Sequence, residues 1–362
     1  MSQDFNRKYL LGFKFIKKSY FWLFASLLLI FLPACGMSPR ATNVPTDGGS
    51  IINAPQPSNT ITSAFVNTPS QATPAFTVTH PPQANNPQSI QTITPQPSAT
   101  IVSSVVFAAI GDYGSGNKDE GDVAHLILSW QPDFVITLGD NNYPNGSASF
   151  IDEAIGQFFH SYIYPYQGSY GAGAEVNRFF PSIGNHDTYS DNGQPYLDYF
   201  SLPGNERYYD FTWGPLHLFA IDNIEIEPDG VGESSVQAQW LKAGLASSTS
   251  PWNIVYMHCP PYSSGTHGST DWARWPYASW GADAVLAGHD HTYERLVENG
   301  IPYFVNGLGG AGRYDFEEIV DGSQVRYNAD YGAMRVEATD TRIIFEFIAR
   351  SGEVVDKYEL DN

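Results

Sequence analysis

The chain has 362 residues, with 18 basic side chains against 38 acidic ones and a formal net charge of −20. That imbalance argues against nucleic acid as a partner, and the length allows one large domain or two of medium size. Cys35 and Cys259 are the only cysteines, so no disulfide framework is expected.

Residues 1–18 carry Arg7, Lys8, Lys14, Lys17 and Lys18 and lead into an uncharged apolar stretch from Tyr20 to Leu32. The stretch falls short of the ~20 residues that span a bilayer but suits the core of an export signal. It ends in Leu32-Pro33-Ala34-Cys35-Gly36, which resembles the lipobox of bacterial lipoproteins, where the cysteine is lipidated and becomes the mature first residue. The resemblance implies a signal over residues 1–34, a lipid on Cys35, and an exported chain anchored at the cell envelope or cell surface. A simple cleaved signal and an uncleaved membrane anchor rank behind it. Loss of residues 1–34 removes five basic side chains and one acidic one, leaving a charge of about −24. Such a surface repels phosphate esters until salt screens it, beyond about 10 Å, so any anion site must be made locally, by metals.

Residues 35–100 are mostly Pro, Thr, Ser, Asn, Gln and Ala with almost no charge. They cannot bury enough apolar surface to fold and read as a disordered, semi-extended tether, a plain spacer in preference to the alternative of a wall-associated or glycosylated stalk. The folded part is expected over residues 101–362. Ile101 to Ile110 (IVSSVVFAAI) is the first strand run, and residues 118–130 place Val123, Leu126, Ile127 and Trp130 on a helical spacing that Pro132 ends. With Asp133 to Leu138 (DFVITL) this makes a βαβ unit, which favours a parallel sheet with its loops gathered at one edge. A helix is expected over Phe150 to Phe159, irregular structure over Tyr162 to Tyr170, and a short strand in Arg178 to Ile183. Tyr208 to Trp213 and Leu216 to Ile221 read as strands around the turn Gly214-Pro215, and Ser234 to Leu245 as a helix. Trp252 to Met257 and Ala284 to Ala287 read as strands, with a β-rich end beyond Ile301.

Polar clusters follow five of these runs. Asp112 stands in Gly111-Asp112-Tyr113-Gly114, Asp140 and Tyr143 in Gly139-Asp140-Asn141-Asn142-Tyr143, and Asn185 and His186 in Gly184-Asn185-His186-Asp187. His258 closes the strand from Trp252, and His289 and His291 lie in Gly288-His289-Asp290-His291. Any one of these alone is an ordinary turn, cap or core residue. Together they offer ligand types for hard or borderline metals, a carboxylate able to bridge two cations, and two histidines at i and i+2 that point to opposite sides.

In this order, over most of residues 105–300, these pieces resemble the calcineurin-like metallophosphoesterases and, within them, the small purple acid phosphatases. The resemblance implies an α/β fold, a four-layer sandwich of two mixed β-sheets flanked by helices, and binuclear hydrolysis of phosphomonoesters by metal-activated hydroxide. It assigns one metal to Asp112, Asp140, Tyr143 and His291 and the other to Asp140, Asn185, His258 and His289. Two positions select the purple branch: Gly114, where other superfamily members carry a metal-binding histidine, and Tyr143, where they usually lack a phenolate. A phenolate stabilises Fe(III), and Fe(II), Zn(II) and Mn(II) are all compatible with the second site. Those ions sum to +5, and two carboxylates, a phenolate and a hydroxide leave about +1 to hold an anion. His186 matches the position that contacts phosphate and protonates the leaving group, and His267 a second substrate-facing histidine.

Asp187 and Asp290 are expected to orient neighbours, Cys259 to be buried, and His125, His217 and the aromatics of residues 272–280 to have no role in the site. The alternatives are a phosphodiesterase or nucleotidase on the same centre and, from another class, a surface binding protein with a structural metal site.

Overall fold

The computed structural model describes residues 104–362. The expected signal, the tether and the lipidation at Cys35 lie outside the described residues. The described part opens with the strands β1 (Val105–Ile110), β2 (Phe134–Leu138) and β3 (Phe179–Ser182). Next come β4 (Tyr209–Trp213), β5 (Leu216–Ala220), β6 (Trp252–Tyr256), β7 (Ala284–Ala287), β8 (Tyr293–Glu298), β9 (Ile301–Asn306) and β10 (Ser323–Tyr327). The chain ends in β11 (Gly332–Ala338), β12 (Arg342–Ala349) and β13 (Val354–Asp361).

These form two mixed sheets, one of six strands in the order β13-β12-β11-β1-β2-β3 and one of seven in the order β10-β8-β9-β7-β6-β5-β4. In the first, β1, β2 and β3 run parallel and β11 joins β1 antiparallel. In the second, β5, β6, β7 and β9 are parallel. The period-two pattern of the second sheet assigns its faces. Ile254 and Tyr256 of β6, with Ala284 and Leu286 of β7, join Phe107 and Ile136 of the first sheet in the larger core. The intervening Val255 and Val285 instead pack with Ala238, Leu241 and Leu245 of the helix Val236–Ser247. On the other side the helix Lys118–Ser129 adds Val123, Ala124 and Ile127 to the larger core. The layers are therefore helix, sheet, sheet, helix, as the resemblance implies.

Both long helices start on side-chain caps. Asn117 accepts from Glu120 N at 2.9 Å, and Ser235 Oγ accepts from Ala238 N at 3.0 Å. The expected helix over Phe150 to Phe159 is present, but it is widened in the middle rather than a regular α-helix. The structure has a π-turn at Asp152–Gly156, a helical turn at Gln157–Phe159 and a 3₁₀ turn at His160–Tyr162. Asp152 accepts from the hydroxyls of Tyr166 and Tyr199 on one oxygen and from Ser169 N and Oγ on the other. The Tyr166 and Tyr199 hydroxyls lie where a side chain at Gly156 would be, and the widened turn makes room for them. The aromatics of residues 272–280 prove to be mostly core, with Trp275, Tyr277 and Trp280 buried and Trp272 partly exposed.

Candidate metal centre

Asp112, Asp140, Asn185, His258 and His289 each follow a parallel strand, at the ends of β1, β2, β3, β6 and β7 respectively. The structure brings these residues, together with Tyr143 and His291, into one cluster where parallel strands of the two sheets end, with Asp112, Asp140, His258 and His291 buried and Tyr143, Asn185 and His289 half-buried. Tyr143 Oη donates to Asp140 Oδ2 at 2.8 Å and lies 3.2 Å from Asp112 Oδ1 and 3.1 Å from His291 Nε2. His291 Nε2 is 3.4 Å from Asp112 Oδ1. On the other side His258 Nε2 is 3.4 Å from Asp140 Oδ1, 2.9 Å from Asn185 Oδ1 and 3.1 Å from His289 Nδ1. The two oxygens of Asp140 thus face two different groups of donor atoms.

Backbone geometry aims these side chains. Asp112, Asp140 and His289 have φ values of 55°, 53° and 70°, a left-handed conformation that non-glycine residues avoid, at a cost of about 1–3 kcal/mol each. Such strain persists only where the surroundings hold it. Asp112 Oδ2 accepts from His289 N at 2.8 Å, and Asp140 Oδ1 accepts from His186 N at 2.9 Å. Gly139 leaves the room that His258 needs, since a Cβ there would lie 2.4 Å from His258 Nδ1. His258 Nδ1 donates to the Leu138 carbonyl at 2.8 Å, which leaves Nε2 as the free ligand atom. Asn185 donates through Nδ2 to Tyr189 Oη at 2.7 Å, so its Oδ1 faces the cluster.

The electrostatics of the cluster suit cations. Asp112 is fully buried, which disfavours its charge, yet its hydrogen bond and attraction to His291, with His258 and His289, hold it below the ordinary carboxylate range. Burial, then the Asp112 and Asp140 carboxylates, push the Tyr143 phenol far up, so only a cation would make it a phenolate. Burial works against protonation of His258, and the Asp140 and Asp112 carboxylates outweigh it and raise its affinity for a proton. Burial and then the charge of His258 bring His289 down to about 3. The two imidazole nitrogens lie 3.1 Å apart, and a metal bound there would displace any proton between them. Asp112, Asp140 and His258 together offer ligand atoms within 4.8 Å of one another, and no lysine or arginine is among the seven donors. The donor set fits two hard or borderline cations.

His186 and His267 flank the cluster. His186 Nδ1 donates to the Pro144 carbonyl at 2.6 Å, and its Nε2 lies 4.0 Å from Asp140 Oδ2. The exposed His267 stacks its ring on His289 with centroids 4.3 Å apart. The expected orienting roles are visible. Asp187 accepts from Gly184 N, Asn141 N and Asn141 Nδ2, and Asp290 accepts from His267 N, Gly268 N and Ser263 Oγ. Cys259 is free and buried, His125 is exposed, and His217 bonds Ser248 and Asp210.

Two residues of the site carry no mark in the sequence. Tyr314 lies parallel to the His291 ring at 4.1 Å. Asn223 exchanges hydrogen bonds with both backbone groups of Cys259, at 2.6 and 3.0 Å, fixing the chain immediately after His258. Only the glycine-rich run before Tyr314 and the position of Asn223 beyond a strand end hint at them. Gly114 has a physical explanation as well, because a Cβ there would lie 1.8 Å from Asn141 O. No side chain fits at that position.

Together, fold and site define a metallophosphoesterase. The calcineurin-like phosphoesterase family model matches residues 105–293, just over half of the chain, and the chain belongs to that family. Within it, the chain is 29% identical over 246 residues to purple acid phosphatase 15 of Arabidopsis thaliana, a match covering 56% of this chain and 44% of that one. It is 24% identical over 242 residues to mouse tartrate-resistant acid phosphatase type 5, covering 56% of this chain and 72% of the relative. The solved purple acid phosphatase PPD1 of yellow lupin superposes with a TM-score of 0.58 at 20% identity, over 72% of this chain and 54% of that one, and so shares the fold.

Proposed function

We propose that this chain hydrolyses phosphomonoesters at a binuclear metal centre of the purple acid phosphatase type. The observation that supports it most is the divergence of the two Asp140 oxygens, one toward Tyr143 and one toward His258. Asp112, Asp140, Tyr143 and His291 would hold one cation, and Asp140, Asn185, His258 and His289 the other. Phenolate chemistry favours Fe(III) at the first, with Fe(II), Zn(II) or Mn(II) at the second. Bound there, the pair would supply Lewis acidity and ionise a water near neutral pH.

The chain's own residues do the rest. Asp140 fixes the two donor groups to each other and, through the His186 amide, fixes the helical turn that bears His186. The Pro144 carbonyl holds the tautomer of His186 with Nε2 toward the site, where a protonated ring can give its proton to the departing alkoxide oxygen. His267, from the His289 side, can donate to a phosphate oxygen. The substrate is then a small phosphorylated alcohol. We also propose, on the sequence alone, an exported protein anchored to a membrane by a lipid on Cys35; labelling with a fatty-acid probe, lost in Cys35→Ser, tests that. The activity is tested with p-nitrophenyl phosphate and bis-p-nitrophenyl phosphate on protein loaded with both metals. Preference for the monoester is expected. Preference for the diester would favour a phosphodiesterase, and no turnover of either would favour a binding protein.

A further inference from the structure

Asp290 lies between two candidate ligands yet turns away from them. It is fully buried, and no lysine or arginine among the described residues pairs with it. Its Oδ1 accepts from His267 N at 2.7 Å, and its Oδ2 accepts from Ser263 Oγ at 2.5 Å and from Gly268 N at 3.2 Å. The loop of residues 263–269 wraps this carboxylate closely, since a Cβ at Gly265 would lie 2.4 Å from Asp290 Cγ. A second buried carboxylate, Glu294 of β8, holds the same loop by accepting from Ser264 N at 2.7 Å and Ser264 Oγ at 2.6 Å. The far side is pinned by Glu317 N donating to Ser264 O at 2.8 Å and Thr266 Oγ1 donating to Asp315 O at 3.2 Å. An exposed histidine therefore rides on a backbone fixed from beneath by the metal-binding turn itself.

We infer that Asp290 is a positioning residue that acts through His267, tying the turn carrying His289 and His291 to the substrate-facing loop. The inference rests on the proposed phosphatase reading, and it says where that reading's specificity for the phosphate group is built. A buried carboxylate that receives two backbone N–H groups and a hydroxyl fixes a loop better than a neutral acceptor does. In Asp290→Asn, one of those N–H groups must face the new NH₂ group and lose its acceptor.

The test compares wild type, His267→Ala, Asp290→Asn and their double variant, each with its metal content measured, in p-nitrophenyl phosphate turnover and in inhibition by inorganic phosphate. Asp290→Asn is expected to keep the wild-type metal content and raise KM and the phosphate inhibition constant about tenfold, with kcat nearly unchanged. The double variant should be no worse than His267→Ala alone, because both changes act on one group. Ser263→Ala, farther from the ligands, should give a smaller effect of the same kind. Independently of activity, amide hydrogen exchange at residues 263–269 should quicken in Asp290→Asn. Multiplying effects in the double variant, loss of metal from Asp290→Asn, or unchanged exchange in the loop would each overturn the inference. An inactive wild type would remove the underlying reading instead, and the exchange experiment tells the two failures apart.

Discussion

Gly114→Ala probes how tightly the two loops that begin the site are locked together. The added Cβ would lie 1.8 Å from Asn141 O, 2.0 Å from Asn141 C and 2.5 Å from Asn142 N, whereas unstrained contact needs about 3.5 Å. The backbone on one side must retreat by more than about 1 Å. That retreat pulls on Tyr143 N donating to Gly114 O at 2.6 Å and on Gly114 N donating to Asp140 O at 3.4 Å. Overpacking of this kind costs about 1–3 kcal/mol, and two weakened backbone hydrogen bonds add about 1 kcal/mol each, for a loss of about 3–5 kcal/mol. The moving segment carries Asp140 and Tyr143, so metal content should fall with stability. Gly232→Ala is the control, because nothing lies within 4 Å of its Cβ, and it should stay within about 0.5 kcal/mol of wild type. Urea unfolding with and without a chelator, together with metal analysis, reads both effects. A Gly114→Ala protein as stable as wild type, with its metals in place, would refute the reasoning.

Other perturbations follow from the same geometry. His186→Ala should slow alkyl phosphates by about 10²-fold while barely affecting p-nitrophenyl phosphate, whose leaving group scarcely needs a proton; equal slowing in steady-state assays would remove His186 as the acid. Glu120 is buried with Oε1 unpartnered among the described residues, and burial raises its pKa well above the ordinary value despite hydrogen bonds from Gly116 and Ser115. A raised folded-state pKa favours the fold below the unfolded value and costs stability as pH climbs above it. Glu120→Gln should therefore gain on wild type in urea unfolding at pH 7.5 but not at pH 4, and a pH-independent difference would count against this. Arg295 of β8 pairs with Asp356 of β13 through Nε at 2.7 Å and Nη2 at 3.2 Å, joining the two sheets. Asp356→Ala strands that guanidinium and should cost about 3–5 kcal/mol, only partly recovered in Arg295→Met with Asp356→Leu because the buried Tyr293 hydroxyl also loses its acceptor; thermal or urea unfolding of both variants decides it.

The parts of this protein that could be read in sequence are those where one local signal suffices. β2, β3 and β7 are short runs buried throughout and β6 is buried but for Asn253, and each is followed within a few residues by a polar residue facing the cleft. Five of the seven proposed ligands stand just past parallel strand ends, Tyr143 and His291 lie in the same loops, and the set as a whole was named by its likeness to the family pattern; the structure gathers it where parallel strands of the two sheets end. Asp187 and Asp290 read as orienting residues in the sequence, but which groups they hold was not legible, nor was Asn223 at all. Asp187 reaches back to Asn141, Asn223 to Cys259, and Asp290 to His267, and such partners are chosen by the fold rather than by neighbours in sequence. The same holds for β11, whose antiparallel place beside β1 spans more than two hundred residues. At Phe150 to Phe159 the helical spacing is borne out, and what it does not show is the π-turn, which goes with Asp152 and the tyrosine hydroxyls it gathers. The purple-branch reading of Gly114 is physically explained by the backbone of Asn141 and Asn142 filling the space a side chain would need.

Two cations sharing Asp140 are the core of the proposed centre, and metal content measured on single-site variants tests that most directly. Wild type should bind two ions per chain, one of them iron with a visible tyrosinate band. His258→Ala should keep the iron and lose the other ion, His291→Ala should lose the iron, and Asp140→Ala should lose both. A single ion in the wild type, or the same ion lost from His258→Ala and His291→Ala, would contradict it.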